Sequence, residues 1–328
     1  MINVAILGCG YIGGFADDSG KRPQIYSHAK AISSMENLKL ISCCDTDKTQ
    51  LEKFSKRWSV DKKYSDLKEM LLNEKIDILV ISTPTKFHYE NIVIAADFPL
   101  KAIFCEKPLT YDTKSSTKII KLCKTKNKIL AVNFMRRWDS FYLDCKKILQ
   151  SGELGEIHSI VSYVDTALYM NSIHMLDIIN FFAGDIRKVY GKIDEFNETR
   201  VVDGKPDPGA YIVIIHKNQI ISFIKASGET KKNHFFEIDI QCSKGRLRML
   251  DDGERYEVYK FKPCKEKKWL SQLVLERIKE NDFSSERLIN AYQNILSTME
   301  GNGKINSDGE SSIKSLEIIE EVYKGNLK

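Results

Sequence analysis

Three glycines near the start of the chain have a spacing that suits the binding of a diphosphate. The turn comprises Gly8, Cys9, Gly10, Tyr11, Ile12 and Gly13. It comes after an apolar run over residues 1–7, and a glycine turn between a buried strand and a helix lets backbone N–H groups approach a phosphate. A purely structural turn can have the same spacing, so its interpretation depends on residues later in the chain.

A carboxylate stands where such a site would bind the ribose of an adenosine. The second apolar run, over residues 38–44, ends at Asp45. A carboxylate at the tip of the second strand can accept hydrogen bonds from both ribose hydroxyls, and it would repel a 2′-phosphate. The sequence therefore predicts a dinucleotide site for NAD rather than NADP.

Two further polar segments come directly after predicted strands. The run over residues 76–81 leads into Ser82, Thr83, Pro84 and, four residues past the proline, His88. The run over residues 102–105 leads into Glu106, Lys107 and Pro108. Loops at the carboxyl ends of parallel strands are where open α/β sheets bind ligands. We therefore expect these segments to line the same site as the glycine turn.

An alternation of strands and helices must position these residues. We predict strands over 1–7, 38–44, 76–81, 102–105 and 129–132, and helices over 24–35, 48–58, 66–73, 89–96 and 114–124. This order indicates a doubly wound parallel sheet. Asp45 lies 32 residues past Gly13, where about 20 is usual, so residues 14–23 are predicted to be an inserted loop. Either a substrate lid or a surface excursion fits that loop.

The second half of the chain has a different pattern. After a helix over 140–150, a strand over 157–164 and a helix over 174–182, β-like runs cover 211–216, 219–226, 234–242 and 246–250. Their short connections predict an open, largely antiparallel sheet in an α+β domain. Residues 265–286 are predicted to be a helical surface segment, and 311–323 an apolar-faced helix. The predicted domains are 1–133 and 134–328, with the last helix able to pack back near the first domain.

Composition sets outer limits on the function. The chain has 328 residues, a formal net charge of +5 and eight scattered cysteines without a zinc spacing. The mild positive charge lacks the basic stripe of a nucleic-acid binder, and no apolar run approaches the roughly 20 residues that cross a bilayer. We expect a soluble, cytoplasmic protein with reduced thiols, no metal, no nucleic-acid partner and no membrane partner.

These features together resemble the Gfo/Idh/MocA oxidoreductases, the family of glucose-fructose oxidoreductase and inositol dehydrogenase. The motifs that carry the resemblance are the turn 8–13, Ser82-Thr83-Pro84 with His88, Glu106-Lys107-Pro108, residues 133–138 with Gly152-Glu153-Leu154-Gly155, His174-Met175-Leu176-Asp177, and Ser307-Asp308-Gly309 before the last helix. They cover nearly the whole chain. The resemblance implies a Rossmann domain that binds NAD, followed by an α/β domain whose open sheet forms oligomer contacts.

The resemblance also implies roles for two residues. Lys107 would sit beside the nicotinamide and touch the reacting hydroxyl, and a partly desolvated amine near a positive ring can move a proton or stabilise an alkoxide. Pro108 restricts the backbone of Lys107 and helps to aim its side chain. His174 corresponds to the family's active-site histidine, a substrate contact that can relay a proton.

The sequence departs from the family four residues before His174. Family dehydrogenases usually have an aspartate there, and this chain has Met170, which cannot accept or deliver a proton. Asn171 can hydrogen-bond a hydroxyl but cannot act as a base, and Tyr169 can donate a proton. Asp165 comes within reach only if the connection folds back. Asn171 and Tyr169 are the candidates to complete the site with Lys107 and His174.

The remaining candidates surround the cofactor. Arg136 and Arg137 precede an aromatic residue, as in the family, and Arg137 is a candidate for a phosphate contact, with a salt bridge as the alternative. His88 is predicted to orient the loop 82–84 and the ribose edge. Glu106 is a cofactor contact in the same interpretation, or it pairs with a neighbouring charge.

Three functions are compatible with these residues. The first is an NAD-dependent oxidoreductase that moves hydride to or from a sugar, a sugar nucleotide or a cyclitol. The second is a redox-assisted lyase or glycosidase that retains NAD, and the third is a non-catalytic dinucleotide-binding regulator. The loss at Met170 is compatible with either alternative. An open sheet predicts a homodimer or homotetramer.

Overall fold

The computed structural model describes residues 1–18, 25–196, 199–228, 234–282 and 286–326. The chain divides into two compact units, Met1–Asp139 with Ser285–Ile313, and Ser140–Ser284 with Lys314–Lys328. The predicted domains, 1–133 and 134–328, each had a single segment, whereas each unit has two. The first unit gains a late segment because Leu288, Tyr292 and Ile295 are buried in its hydrophobic core.

The first unit is built on a six-stranded parallel sheet in the order β3-β2-β1-β4-β5-β6. Its strands are β1 (Ile2–Leu7), β2 (Leu38–Cys44), β3 (Lys62–Tyr64), β4 (Ile78–Ile81), β5 (Ala102–Cys105) and β6 (Ile129–Val132). Its helices are α1 (His28–Ser33), α2 (Lys48–Trp58), α3 (Leu67–Asn73), α4 (His88–Ala96) and α5 (Thr113–Thr125). Strands β4 and β5 are fully buried, as expected where helices cover both faces of a sheet. The predicted doubly wound parallel sheet is confirmed.

The segment after the glycine turn differs from the prediction. A five-residue π-helix, Tyr11–Phe15, comes next in the chain, and α1 is much shorter than the predicted helix over 24–35. Asp17 explains why α1 begins only at His28, because the Asp17 carboxylate accepts hydrogen bonds from the backbone N–H groups of Tyr26 and Ser27 at 2.7 and 2.9 Å. Residues 19–23 of the predicted loop over 14–23, and Gln24 after them, lie outside the described residues. The choice between a lid and a surface excursion therefore also lies outside them.

The second unit is built on an eight-stranded sheet in the order β16-β15-β14-β13-β7-β12-β11-β8. The strands of the unit are β7 (Ile157–Val164), β8 (Ile186–Ile193), β9 (Arg200–Val202), β10 (Lys205–Asp207), β11 (Ala210–His216), β12 (Ile221–Ala226), β13 (Phe236–Cys242), β14 (Gly245–Leu250), β15 (Arg255–Pro263) and β16 (Ser271–Glu280), of which β9 and β10 form a separate hairpin. Only β7 and β12 pair in parallel among the neighbours of the large sheet. The predicted open, largely antiparallel sheet is confirmed.

Four more α-helices lie within the described residues. They are α6 (Ser140–Gln150) and α7 (Ile173–Ala183) in the second unit, α8 (Arg287–Met299) in the first, and α9 (Gly309–Tyr323), whose residues change unit after Ile313. The sequence pattern missed β3, β8, β9, β10, β15 and α8. In the second unit Val322 of α9 packs against Gly191 of β8, where a side chain larger than hydrogen would collide with it.

The predicted surface helix over residues 265–286 is wrong. Residues 271–280 form β16, which pairs antiparallel with β15 along its whole length. Leu, Glu, Arg and Lys favour helices in isolation, but cross-strand pairs override that preference. Here Lys262 pairs with Glu276 at 2.8 Å, and Lys279 reaches Asp144 at 2.9 Å.

Three further features concern membrane spans, metal sites and cysteines. No helix within the described residues is long and apolar enough to cross a bilayer. Across the same residues no cluster of three or more His, Cys, Asp or Glu side chains has the arrangement of a metal site. The eight cysteines are free thiols, seven of them buried.

Candidate functional site

The glycine turn brings the ends of β1 and β4 into close contact. Gly8 has a φ of +95°, and a Cβ built on it would lie 2.6 Å from the carbonyl carbon of Ser82 and 2.7 Å from the backbone nitrogen of Thr83. Ser82 also donates a hydrogen bond from Oγ to the carbonyl oxygen of Gly8 at 2.8 Å. Only glycine fits the first position of the turn.

Gly10 has the opposite environment. A Cβ on Gly10 would have no heavy atom within 4 Å, so the backbone borders open space on that side. A group as large as a diphosphate can approach the chain there only because no side chain occupies the space. The two glycines therefore have separate tasks, close packing for Gly8 and open approach for Gly10.

Asp45 links the turn to β2. Its Oδ2 accepts the backbone N–H of Cys9 at 2.7 Å and its Oδ1 accepts that of Asp47 at 2.9 Å. Gln50 donates to the carbonyl oxygen of Cys9 at 2.6 Å. Both polar backbone groups of Cys9 are thus engaged by the β2–α2 connection. A carboxylate has about four lone-pair positions, so Asp45 retains acceptor capacity for hydroxyl donors.

The side chain of Cys9 belongs to the core. It is fully buried, and its Sγ lies 3.7 Å from the carbonyl oxygen of Cys44. A hydrogen bond with Cys43, together with burial, raises the pKa of the Cys9 thiol well above its usual value. Such a thiol is unreactive, so Cys9 contributes to the turn through its backbone. Tyr11 is more than half exposed beside it.

His88 joins the loops after β4 and β5. Its Nε2 lies 2.9 Å from the carbonyl oxygen of Thr83, and its Nδ1 lies 2.9 Å from that of Pro108. Burial lowers the pKa of His88, against the opposing effect of its carbonyl partners. The neutral ring carries one N–H, so it donates to one of the two oxygens at a time. This contact fits the predicted role of orienting the loop 82–84.

Glu106 is the centre of a buried polar network in the first unit. Its Oε1 accepts hydrogen bonds from Nε2 of His28 at 3.0 Å and from Nδ2 of Asn133 at 2.6 Å, and its Oε2 lies 3.3 Å from the backbone nitrogen of Lys107. Burial alone would raise the pKa of Glu106, but the bonds from His28 and Asn133 and the charge of Lys107 hold it below its usual value. Glu106 is therefore ionised at neutral pH. The Lys107–Pro108 peptide bond is cis.

The far side of His28 contacts α8. Its Nδ1 lies 2.9 Å from the hydroxyl of Tyr292, and Phe104 packs edge-on against both rings, at centroid distances of 5.0 and 5.4 Å. Sequence reasoning missed both His28 and Tyr292. His28 comes after the unusual insertion, and Tyr292 lies in a helix that the sequence pattern did not predict, so neither had a local signal.

The arginines after β6 are buried. Arg137 donates to the carbonyl oxygen of Asn306 at 3.4 Å, and the neighbouring Asp139 forms a buried ion pair with Arg287 at 2.5 Å. The predicted phosphate contact of Arg137 stays a prediction. The bonds seen here fix the segment after β6 to the late segment of the same unit.

In the second unit the candidates lie at the carboxyl end of β7. A five-residue π-helix, Leu168–Ser172, precedes α7, which carries His174 in its first turn. Tyr169 donates its backbone N–H to Asp207 at 2.9 Å, and Asn171 donates its backbone N–H to the Thr166 hydroxyl at 3.0 Å. The connection after β7 therefore folds back on itself, and it holds the buried His174 close to Asn171.

Asp165 has a specific partner in this region. Its Oδ2 lies 2.6 Å from Nδ1 of His234, and the carboxylate is buried while half of the His234 side chain is exposed. Asp165 therefore holds a histidine at the start of the same folded connection. No local pattern pointed to His234, since 69 residues separate the pair.

Two family models match most of the chain. Residues 2–134 match the oxidoreductase family model described as an NAD-binding Rossmann fold, and residues 164–325 match the C-terminal alpha/beta domain of the same family. The chain belongs to the Gfo/Idh/MocA family. The predicted resemblance is confirmed, and the first unit is the family's NAD-binding domain.

Curated members of the Gfo/Idh/MocA family include two informative relatives. The chain is 33% identical over 157 residues to the scyllo-inositol 2-dehydrogenase (NAD(+)) of Bacillus subtilis, which covers 48% of the chain and 42% of that protein. It is 22% identical over 340 residues to the D-apiose dehydrogenase of Rhizobium rhizogenes, which covers 97% of the chain and 93% of that protein. In matches of the first kind, at higher identity, the chain spans only about half the length of the curated relative.

Solved structures of the same fold support the architecture. The WlbA dehydrogenase from Bordetella pertussis, in complex with NADH and UDP-GlcNAcA, has a TM-score of 0.77 at 17% identity and covers 99% of this chain and 96% of that one. At this identity the likeness shows the Gfo/Idh/MocA fold alone.

The structure gathers the predicted residues into two groups, one in each unit. The Rossmann group comprises Gly8, Cys9, Gly10, Tyr11, Ile12, Asp45, Ser82, Thr83, Pro84, His88, Glu106, Lys107 and Arg137, all at or after the carboxyl ends of strands. The second group comprises Tyr169, Asn171 and His174. Their roles as site residues stay predictions.

Proposed function

We propose that this protein is an NAD-dependent dehydrogenase that acts on a CH–OH group of a sugar, a sugar nucleotide or a cyclitol. The observation that carries the proposal is the position of Lys107. It lies after β5 next to an ionised carboxylate, at the same sheet edge as the glycine turn and Asp45. An amine at this edge can act on a hydroxyl that binds beside a dinucleotide.

The Rossmann residues fit NAD. The open side of Gly10 admits a diphosphate, and the remaining lone pairs of Asp45 suit the hydroxyls of an adenosine ribose. Ser82, Thr83 and Pro84 would border the nicotinamide half, with His88 fixing their loop through Thr83. NAD supplies the hydride acceptor or donor when it is bound.

Lys107 would assist at the reacting oxygen. Oxidation of a CH–OH group to a ketone removes one hydride from carbon and one proton from oxygen. The amine of Lys107 takes that proton, or stabilises the alkoxide from which it has left. The charge of Lys107 helps to hold the pKa of the preceding Glu106 below its usual value.

The second unit would supply the remaining polar groups. His174 relays the proton, and Asn171 or Tyr169 provides hydrogen bonds to substrate hydroxyls. Met170 cannot replace the usual aspartate, because a thioether neither binds nor releases a proton. The Asp165–His234 pair is the closest substitute in chemical kind, since the carboxylate fixes one ring nitrogen and leaves the other for proton transfer.

The names of relatives support the substrate class. Curated relatives are dehydrogenases of inositols and of D-apiose, and a related structure contains NADH and a uridine diphosphate sugar acid. Polyhydroxylated rings are common to these compounds. For the assembly we propose a homodimer or homotetramer, in which the open sheet of the second unit provides the contact.

Cofactor reduction tests the dehydrogenase proposal. The full chain is mixed with NAD⁺ and with each of myo-inositol, scyllo-inositol, D-apiose and a uridine diphosphate sugar acid, and absorbance at the wavelength of reduced cofactor is followed. We expect turnover with at least one compound, and a loss of at least about 100-fold in Lys107→Ala. Full activity of Lys107→Ala would contradict the proposal.

Met170 is also compatible with redox-assisted elimination with retained NAD. Aryl glycosides test it, because this reaction releases the aglycone without net cofactor reduction. Release of the aglycone together with no net reduction in the panel above would replace the dehydrogenase proposal.

A further inference from the structure

The polar network beneath Lys107 joins parts of the first unit that are far apart in sequence. Glu106 lies after β5, His28 begins α1, Asn133 lies after β6 and Tyr292 is part of α8. His28 and Tyr292 are completely buried, and the side chain of Glu106 is 14% exposed. A buried polar group that forms such bonds is costly to leave unpaired. The network therefore holds Glu106 in one place.

Tyr292 ends the row of hydrogen bonds that begins at Glu106. Burial and the negative charge of Glu106 raise the pKa of Tyr292 well above its usual value, so its hydroxyl keeps its proton. Nδ1 of His28 lies 2.9 Å from that hydroxyl, and Nε2 of His28 donates to Glu106 at 3.0 Å. Both ring nitrogens of His28 are therefore engaged, one by Tyr292 and one by Glu106.

The aromatic surroundings leave His28 little freedom to turn. Phe104 packs edge-on against His28, Tyr292 and Trp138. Its ring plane makes angles of 89° with His28, 87° with Tyr292 and 77° with Trp138. All four rings are buried. Rotation of the imidazole would break two hydrogen bonds and displace close-packed rings.

We propose that His28, oriented by Tyr292, is a positioning residue that holds the Glu106 carboxylate directly before Lys107 in the chain. The inference deepens the proposed function and rests on it for the importance of Lys107. An ionised Glu106 favours the protonated amine, and a neutral side chain at this position leaves more of the amine unprotonated. His28 thus sets the proton occupancy of Lys107 without contact with substrate.

Within the described residues, five charged or titratable groups interact with Glu106. They are His28 from α1, Tyr292 from α8, Lys107 next in the chain, Cys105 at the end of β5, and His88 from α4. Burial raises the pKa of Cys105 well above its usual value and lowers that of His88, so both stay neutral near pH 7. The contacts from His28 and Asn133 and the charge of Lys107 therefore hold the pKa of Glu106 below its usual value.

The first test measures Glu106 directly in the full chain without NAD. The side-chain carboxyl is followed by ¹³C NMR as the pH is varied, and its signal is assigned by its loss in Glu106→Gln. We expect His28→Leu to raise the midpoint of Glu106 by about one pH unit or more, because a donor to the charged form is lost. His28→Gln, whose amide can replace Nε2 as a donor, is expected to leave the midpoint within about 0.3 units of the wild type.

A second variant covers the case in which His28→Leu does not fold. Tyr292→Phe removes one hydroxyl and keeps the ring, so it should fold and shift the midpoint of Glu106 in the same direction. The matched control is Tyr142→Phe, an equally buried tyrosine of the second unit. An unchanged midpoint in both His28→Leu and Tyr292→Phe would overturn the proposal.

The second test measures Lys107. Trace acetylation of the NAD-free chain at pH 7 is read by mass spectrometry, with Lys101 as the internal reference. We expect Lys107 to react roughly tenfold faster relative to Lys101 in Glu106→Gln, because one unit of pKa changes the unprotonated fraction about tenfold. Equal rates in Glu106→Gln and the wild type would also overturn the proposal.

Neither test needs turnover, so the two proposals can fail separately. Shifted titrations with no oxidation of the substrate panel would leave the positioning network standing and contradict the dehydrogenase function. Turnover that depends on Lys107, together with unshifted titrations, would support the dehydrogenase function and contradict the positioning network.

Discussion

The backbone N–H of Cys9 donates to Oδ2 of Asp45 across 2.7 Å, so the carboxylate that ends β2 also holds the glycine turn at the end of β1. One side chain therefore fixes the shape of the turn, and in the proposed function the same side chain accepts hydrogen bonds from a ribose. A change at Asp45 should affect both the order of the turn and the choice of cofactor.

We expect Asp45→Asn to weaken NADH binding about tenfold and to reduce the preference for NADH over NADPH. A neutral amide forms weaker hydrogen bonds with hydroxyls and no longer repels a 2′-phosphate. Fluorescence titrations with the two reduced cofactors measure both effects. Asp47→Asn is the matched control, since Asp47 caps α2 through Thr49 and Gln50. An unaltered preference in Asp45→Asn would contradict the ribose assignment.

The first two glycines of the turn should respond differently to alanine. Gly8→Ala places a Cβ 2.6 Å from the Ser82 backbone at a φ of +95°, so we expect a loss of about 2–4 kcal/mol in unfolding free energy. Gly10→Ala meets no atom within 4 Å, so stability should change little while NADH affinity falls at least about tenfold. Urea unfolding and NADH titration measure the pair. Normal NADH affinity in Gly10→Ala would place the diphosphate elsewhere.

Stability of the first unit should fall on acidification through His88. Burial lowers its pKa in the folded state, so the unfolded chain binds a proton more readily. The unfolding free energy that neutral His88 contributes is complete above the unfolded pKa of about 6.5. It is lost as the pH falls from there towards the lower pKa of the folded state, by up to about 1.4 kcal/mol per pH unit. Hydrogen exchange of β4 and β5 amides at pH 7.5, 6.5 and 5.5 measures it.

His88→Asn should flatten that pH dependence, although it lowers stability at pH 7.5. The exposed His158 provides the control variant, His158→Gln. If the wild type and His88→Asn lost protection equally between pH 7.5 and 5.5, His88 would not be the group that titrates.

The Asp165–His234 pair offers a test of the second unit. We expect His234→Gln to lower kcat at least about tenfold in the substrate panel, with partial rescue by added imidazole, because a diffusible base can replace the lost ring. Asp165→Asn should lower kcat without that rescue, since the ring remains. His216→Gln, a buried histidine bonded to Ser222 in the same unit, is the control. Full activity of His234→Gln would leave proton transfer to His174.

The features that the sequence could predict are those set by local pattern. The glycine turn, Asp45 and the segments after β4 and β5 lie next to apolar strands, and strand order places them at one edge. His28 and Tyr292 could not be predicted, because 264 residues separate them and their contact depends on how α8 packs. The error at β16 has a similar cause, since its strand form depends on pairing with β15. The predicted inserted loop over 14–23 lies in part beyond the described residues.

We expect one face of the second-unit sheet, the face that carries Tyr163 and Phe223, to form the contact of a homo-oligomer. Tyr163 of β7 and Phe223 of β12 are 50% and 45% exposed, whereas Ile224 beside Phe223 is buried on the opposite face. Exposed aromatic residues on neighbouring strands form an apolar patch of the kind that marks a protein contact.

We expect Phe223→Glu to reduce the oligomer to monomers, because a buried unpaired carboxylate opposes association. Light scattering after size exclusion measures the mass. Leu72→Glu, an equally apolar exposed position on α3 of the first unit, should leave the mass unchanged. A monomeric wild type, or an oligomer that persists in Phe223→Glu, would contradict this assignment of the face.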